Sequence, residues 1–209
     1  MFSKNLIKTA FVAALLSVSS AHAEKPNFDY SSLRLSLGTV NYKTPLCVAG
    51  SCASSGNTAG VGGTLQIGDN FLIDLDGSSL KVNSGDWSAD GSGGEFGIGL
   101  AFPMSNAIDF RGGISSISSD INACGFGVCV KHSDTGNSVS AGIRAWLNDA
   151  HTFSGAIDIR SSKLSEDIGR TTTTGILLAY WVQTHHKLSV SYGSNDKTTG
   201  TSVGYAYVF

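Results

Sequence analysis

Histidines beside hydroxyl or carboxylate side chains are the groups in this chain that could catalyse hydrolysis or acyl transfer. Such chemistry needs a histidine next to a serine, aspartate or glutamate that activates a hydroxyl group or a water molecule. His132 stands beside Ser133 and Asp134, but neighbours in sequence rarely form a catalytic triad. Three further histidines fall in predicted turns, namely His151, His185 and His186. We therefore predict a non-enzymatic protein, with a lipid-modifying enzyme or a protease as the weaker alternative.

Cysteines form two closely spaced pairs, Cys47 with Cys52 and Cys124 with Cys129. In an exported chain this spacing favours two local disulfide bonds. Two alternatives stay open: the four thiolates could hold a tetrahedral zinc ion, or disulfides could join one pair to the other. We predict the local disulfides and no metal.

Acidic residues could supply oxygen ligands to Ca²⁺ in segments 86–95 and 74–77. Neither segment has the ligand spacing of an EF-hand loop. The glycine cluster at 60–63 lacks the following helix that phosphate binding requires. A net charge of -2 without a basic cluster offers no electrostatic surface to nucleic acid. The sequence therefore predicts no cofactor and no nucleic-acid partner.

The N-terminus has the three parts of a secretory signal peptide. Lys4 and Lys8 precede an apolar run at 10–16, and the small-residue site Ala21-His22-Ala23 follows. The run is shorter than the roughly 20 residues that span a bilayer as a helix. We expect residues 1–23 to be a signal peptide cleaved after Ala23, and residues 24–209 to form a single domain.

Beyond the signal peptide the dominant hydrophobic period is two, which places alternate side chains on opposite faces of a β-strand. The eighth stretch is ambiguous because the faces beginning at Ile176 and at Leu177 are almost equally apolar; we choose the face of Ile176. Ten stretches show the period, at 33–37, 59–67, 71–75, 96–102, 108–114, 139–147, 153–159, 172–183, 188–192 and 203–209.

Connections between the stretches alternate between short and long. An even strand count with short turns on one side and long loops on the other is typical of transmembrane β-barrels. The predicted fold is all-β: a closed antiparallel up-and-down barrel of ten strands, with eight as the alternative, and with both termini periplasmic and both cysteine pairs outside. The long connections are 42–57, 83–94, 118–136 and 164–171, the short ones are 68–70, 103–106, 148–150 and 184–186, and 194–198 is intermediate.

A soluble β-sandwich would satisfy the same period. Strands near ten residues long suit a tilted bilayer crossing, however, and aromatic rings near the strand ends suit the headgroup boundary. The pattern therefore favours lipid around the apolar face. The predicted periplasmic girdle is Phe71, Phe102, Phe153, Tyr205 and Tyr207, and the sparser external girdle is Tyr42 and Tyr192.

The last stretch places Val203, Tyr205, Tyr207 and Phe209 on one face, with Phe209 at the end of the chain. This motif resembles the C-terminal insertion signal of bacterial outer-membrane proteins. The mature chain resembles the small outer-membrane β-barrel superfamily that includes OmpA-like, OmpX-like and opacity-type proteins. The resemblance covers architecture and end motif and no catalytic residue. It implies an outer-membrane monomer surrounded by lipid and lipopolysaccharide, assembled by the outer-membrane machinery with periplasmic chaperones.

Charged residues alternate with the apolar face and are therefore predicted to point into the lumen. A narrow lumen disfavours isolated charges, so the equal numbers of positive and negative groups predict an ion-paired, plugged interior. The expected function is envelope structure or interaction through surface loops, with a narrow porin-like channel as the alternative. The predicted lumen network is Arg34, Arg111, Arg144, Arg160 and Lys187 with Asp74, Asp76, Glu95, Asp109 and Asp158.

Overall fold

The protein is a closed antiparallel β-barrel in a computed structural model that describes residues 27–48, 50–85, 87–165 and 170–209. Each strand pairs with its sequence neighbours, and β1 also pairs with β10. The predicted fold class and the count of ten strands are confirmed. The strands are β1 (Ser32–Val48), β2 (Ser51–Ile67), β3 (Phe71–Ser84), β4 (Trp87–Ser105), β5 (Ile108–Gly125), β6 (Val128–Trp146), β7 (Phe153–Leu164), β8 (Thr171–Gln183), β9 (His186–Ser194) and β10 (Thr198–Val208).

The barrel closes where β1 meets β10, from the pair Ser32 and Val208 to the pair Tyr42 and Thr198. Closure gives the backbone groups of both terminal strands a partner, which a sheet surrounded by hydrocarbon requires. The start of β1 and the end of β10 lie at one end of the barrel, here named the termini end. Both cysteine pairs lie at the other, here named the cysteine end. The predicted signal peptide lies outside the described residues, within which no helix is long and apolar enough to cross a membrane.

Side chains alternate across the barrel wall as the period of two predicts. Leu37 on the outer face is 65% exposed, whereas Leu72 on the inner face is fully buried. In β8, Leu178 points outward while Ala179 and Trp181 are buried, which confirms the choice of the Ile176 face. The predicted periplasmic girdle is exposed on the outer face at Phe71, Phe153, Tyr205 and Tyr207, and Phe102 is half-buried against Phe110.

Three of the predicted long loops are wrong, because strands occupy most of 42–57, 83–94 and 118–136. In the last of these, β5 and β6 remain paired up to Gly125 and Val128. Phe126 and Gly127 alone make the turn, and both have positive φ, the backbone of a tight hairpin turn. The extended parts carry polar residues on their outer face, so the hydrophobic alternation stops although the strands continue.

A small apolar cluster occupies the inner face near the cysteine end and overturns the assignment of Tyr42 to an external girdle. Tyr42 packs against the buried group Ala53, Val82 and Trp87. The indole Nε1 of Trp87 donates a 2.8 Å hydrogen bond to the carbonyl of Ser51. Trp87 therefore belongs to the barrel wall and not to an acidic loop.

Candidate functional site

Three ion pairs cross the lumen. Arg34 contacts Asp76 at 2.6 Å, Arg111 contacts Asp74 at 2.6 Å, and Arg160 contacts Glu95 at 2.7 Å. Each pair joins strands that are not neighbours in the sheet. These six charges therefore contact one another across the lumen instead of along the wall.

Hydroxyl groups link these pairs into larger networks. Thr64 Oγ1 donates a 2.6 Å hydrogen bond to Asp74 and accepts a 3.4 Å bond from Arg34. Ser115 Oγ donates to Glu95 at 2.5 Å. Carboxylate oxygens that already accept from hydroxyl and guanidinium groups cost less to hold away from bulk water than bare ones.

Glycines on intervening strands make room for these side chains. A Cβ added to Gly62 would collide with the Asp76 carboxylate and would lie 3.1 Å from Arg34 Nε. The carboxylate of Asp158 occupies a similar niche, 2.6 Å from the place where a Cβ on Gly175 would stand. The inward-facing glycines are therefore part of the lumen site.

The lumen at the termini end is filled by the segment that precedes β1, here named the N-terminal plug and comprising residues 27–30. Phe28 and Tyr30 are almost fully buried. They pack in a hydrophobic cluster that draws side chains from both sides of the barrel: Leu72 on β3, Ala101 on β4, Trp146 on β6, Trp181 on β8 and Val208 on β10. The cluster therefore extends across the lumen.

Asp109 fixes the plug in place. Its Oδ1 accepts hydrogen bonds from the backbone N–H and the Nδ2 of Asn27 at 3.0 and 2.7 Å. Its Oδ2 accepts from the backbone N–H of Phe28 at 3.1 Å and from the Tyr30 hydroxyl at 3.4 Å. Burial raises the pKa of Tyr30 to about 12, so the phenol keeps the proton that it donates. Asp109, predicted as a lumen charge, is thus an anchor for the plug.

Three lumen cations lie over aromatic rings at the plug. The Arg111 guanidinium carbon is 6.0 Å from the ring centroid of Tyr30. The Arg144 guanidinium carbon is 4.8 Å from the ring centroid of Phe28 and 5.4 Å from that of Tyr30. Lys187 Nζ is 5.5 Å from the ring centroid of Trp181. Cation–π attraction of this kind favours a positive charge beside the ring face.

A cavity of about 400 Å³, here named the inner chamber, lies between the plug and the ion pairs. Tyr30 and Arg144 lie on its plug side, and all of the predicted lumen charges except Asp109 line it. A second cavity of about 370 Å³, the outer chamber, shares Asp76, Glu95 and Arg160 with the inner one and continues towards the cysteine end past Leu80 and Ile121.

The histidines do not line either chamber. His185 Nδ1 lies 2.8 Å from the carbonyl oxygen of Val208, His186 Nδ1 lies 2.7 Å from the Tyr205 hydroxyl, and His151 stacks on Trp146. His132 pairs with Ile121 on the hairpin of β5 and β6 and does not lie in a loop. Within the described residues no group of histidine, cysteine and acidic side chains could hold a metal ion.

The cysteine pairs are joined locally, Cys47 to Cys52 and Cys124 to Cys129, across the ends of their hairpins. At the opposite end, the predicted insertion signal lies on the outer face of β10, with Val203, Tyr205 and Phe209 all exposed. The backbone N–H of Phe209 donates a 3.0 Å hydrogen bond to the carbonyl of Ser31.

Sequence reasoning missed the plug. Its signal was available, because Asn27-Phe28-Asp29-Tyr30 places two aromatic residues directly before the first strand, where an exposed linker would need none.

Comparisons with known proteins agree with this architecture. Residues 10–209 match the model of the outer membrane protein beta-barrel domain. No curated protein matches the sequence.

Solved outer-membrane proteins are similar to this chain at low sequence identity. An outer membrane channel from Pseudomonas putida F1 is 9% identical with a TM-score of 0.53, covering 91% of this chain and 98% of that one. Neisserial surface protein A is 10% identical with a TM-score of 0.47, covering 86% and 97%. The attachment invasion locus protein of Yersinia pestis is 14% identical with a TM-score of 0.43, covering 86% and 99%.

The family match extends over the whole barrel and locates the protein in the outer membrane. The closed ten-stranded sheet and the apolar outer face are the features that such a location requires. The chain belongs to the family of outer membrane protein β-barrel domains.

Proposed function

We propose that this protein is a closed, non-enzymatic outer-membrane barrel that acts through its extended hairpins at the cell surface or by stabilising the envelope. The termini end faces the periplasm and the cysteine end faces the exterior. The mature chain starts at Glu24 after signal cleavage, three residues before Asn27. It is a monomer in contact with lipid and lipopolysaccharide, inserted by the outer-membrane assembly machinery after periplasmic chaperones have held the unfolded chain.

The N-terminal plug is the observation that carries this proposal. Phe28 and Tyr30 fill the lumen together with side chains from five strands, and Asp109 binds the segment through both carboxylate oxygens. A solute would have to displace this cluster to reach the periplasm. The arrangement supports a barrel that does not conduct.

Strand length supports a surface role for the cysteine end. A tilted strand needs about 9–11 residues to cross a bilayer, whereas β4 and β6 each have 19 residues. At about 3.3 Å per residue, eight or more surplus residues add roughly 25 Å of strand length beyond the hydrocarbon. Two of the hairpins at this end, that of β1 with β2 and that of β5 with β6, carry a disulfide next to the turn.

A narrow channel is the second candidate, and the charged inner chamber is the observation that favours it. If the plug left the lumen, the ion-paired wall would border an aqueous path. The described residues offer no comparable support for an enzyme, since the histidines line neither chamber.

Single-channel recording separates the two candidates. The wild-type protein, reconstituted in planar bilayers, is expected to give no stable ohmic steps. A variant that lacks residues 24–30 is expected to conduct, and retention of heat-modifiable gel migration would show that it remains folded. Stable conductance steps from the wild-type protein would overturn the closed barrel. A folded deletion variant that does not conduct would show that the plug is not what closes the lumen.

A further inference from the structure

We infer that the inner chamber binds a small oxyanion, a carboxylate or a phosphate, which enters from the cysteine end and is held by Arg144 and Lys187. This inference goes beyond the closed-barrel proposal and does not depend on whether the plug can leave the lumen. It follows from which charges in the chamber already have a partner.

Most of the acidic groups around the inner chamber are occupied. Asp74, Asp76 and Glu95 each contact an arginine at 2.6 to 2.7 Å. Asp109 is adjacent to Arg144 in the strand register, but both of its oxygens accept hydrogen bonds from the plug. Asp158 also lines the chamber, and its carboxylate lies beside Gly175.

The positive groups exceed these acids. Five cations line the chamber, against the four carboxylates of Asp74, Asp76, Glu95 and Asp158. Three of the cations are used in the ion pairs. Within the part of the chain that the structure describes, Arg144 and Lys187 form no ion pair, and their recorded contacts are with ring faces.

A ring face leaves the N–H donors of a cation unfilled. Arginine carries five such donors and lysine carries three, and donors of this kind make their strongest hydrogen bonds to anionic oxygens. An oxyanion beside Arg144 and Lys187 would accept these bonds. Ser191 and Ser202 also line the chamber. Their hydroxyl oxygens are 2.7 Å apart, so one hydroxyl donates to the other and the second keeps its proton for a ligand.

The chamber has the size and the access that a ligand needs. Its volume of about 400 Å³ lies within the range of small-molecule sites, about 300–1,000 Å³. The shared wall at Asp76, Glu95 and Arg160 connects it with the outer chamber. A ligand can therefore approach without passing the plug.

Tryptophan fluorescence can test the site, because Trp181 lies beneath Lys187 and Trp146 stacks on Phe28. The full mature chain, carrying Trp87→Phe to remove the distant indole, would be folded in detergent. Sodium phosphate and sodium acetate would each be titrated against sodium chloride at constant ionic strength. We expect a saturable change with at least one of them, and the one that saturates identifies the ligand as phosphate or carboxylate.

Matched variants distinguish the site from a general salt effect. Arg144→Gln and Lys187→Gln are expected to weaken the affinity at least tenfold, whereas Lys187→Arg should stay within about threefold, since charge-assisted bonds persist. Lys131→Gln removes an exposed charge outside both chambers and should change nothing. Gel migration before and after boiling verifies folding of every variant.

Two results would overturn the inference: no saturable response of the wild-type site to either anion, or folded Gln variants that bind as tightly as the wild type. Neither result depends on conductance. The fluorescence titration therefore tests the anion site, and single-channel recording tests the closed barrel independently.

Discussion

Asp109 and Phe28 are joined across 81 positions of sequence, because the carboxylate of Asp109 on β5 accepts a 3.1 Å hydrogen bond from the backbone N–H of Phe28. The other carboxylate oxygen binds Asn27. A single fully buried acid thus attaches the start of the described chain to the first residues of β5, at the termini end of the barrel wall.

Asp109→Asn tests this attachment. The asparagine keeps one acceptor oxygen but turns an amide group towards the N–H donors of the plug. Since a hydrogen bond to a charged group contributes about 1.5–3 kcal/mol, we expect the free energy of unfolding to fall by about 3 kcal/mol. Urea titration in lipid vesicles measures the loss, and hydrogen exchange at the Phe28 amide should accelerate. Asp90→Asn, an exposed carboxylate on β4, is the control. An unchanged urea midpoint for Asp109→Asn would refute the anchoring role.

Gly62→Ala is expected to disrupt the ion pair between Arg34 and Asp76. The new methyl group would occupy space that the Asp76 carboxylate now fills, and overpacking of this kind typically costs about 1–3 kcal/mol. Gly77→Ala is the matched control, because its methyl group would have a nearest neighbour at 3.7 Å. Unfolding in urea compares the two variants. Equal free energies of unfolding for the two variants would show that the Asp76 carboxylate does not need the space that Gly62 leaves.

Both cysteine pairs are expected to be oxidised in the exported protein. A maleimide label should react with cysteine after reduction but not before, as read by mass spectrometry. Each disulfide closes a short loop, so removing one should cost no more than about 2 kcal/mol by loop entropy. Cys124→Ser with Cys129→Ser should therefore leave a folded, heat-modifiable barrel. Labelling of unreduced wild-type protein would contradict the disulfides.

Phe209→Ala is expected to lower assembly in the membrane while leaving the stability of the folded barrel nearly unchanged. The Phe209 side chain is 56% exposed on the outer face, and its recorded hydrogen bond uses the backbone. The measurements are the amount of heat-modifiable protein in outer membranes and the urea midpoint after refolding. Tyr180→Ala, which removes another exposed outer-face ring, is the control. Equal membrane yields for the two variants would speak against a specific end signal.

The inward direction of the lumen charges could be predicted because a period of two fixes which face each residue occupies. Arg34 and Asp76 follow from that rule as separate residues. Their pairing does not, because it depends on the stagger of strands β1 and β3 and on the absence of a side chain at Gly62 between them.

The extended hairpins could not be predicted from the same rule. The outer face of Ser116, Ser118 and Asp120 carries no apolar residue, and a loop has the same composition. Pairing continues there because each residue faces a partner on β4 and β6. The hydrophobic period therefore marks the part of a strand whose outer face is apolar, and it does not show where the strand ends.

The hydrophobic cluster at the termini end contains both Phe28 and Val208, so its first and last members are contributed by opposite ends of the described chain. Phe28 lies before β1 and Val208 lies at the end of β10, and pairing of these two strands closes the barrel. The seam between β1 and β10 and the packing that fills the lumen at the termini end therefore depend on the same two ends of the chain. Loss of either end would remove part of this cluster, so a change at one end of the chain affects both the closed wall and the filled lumen.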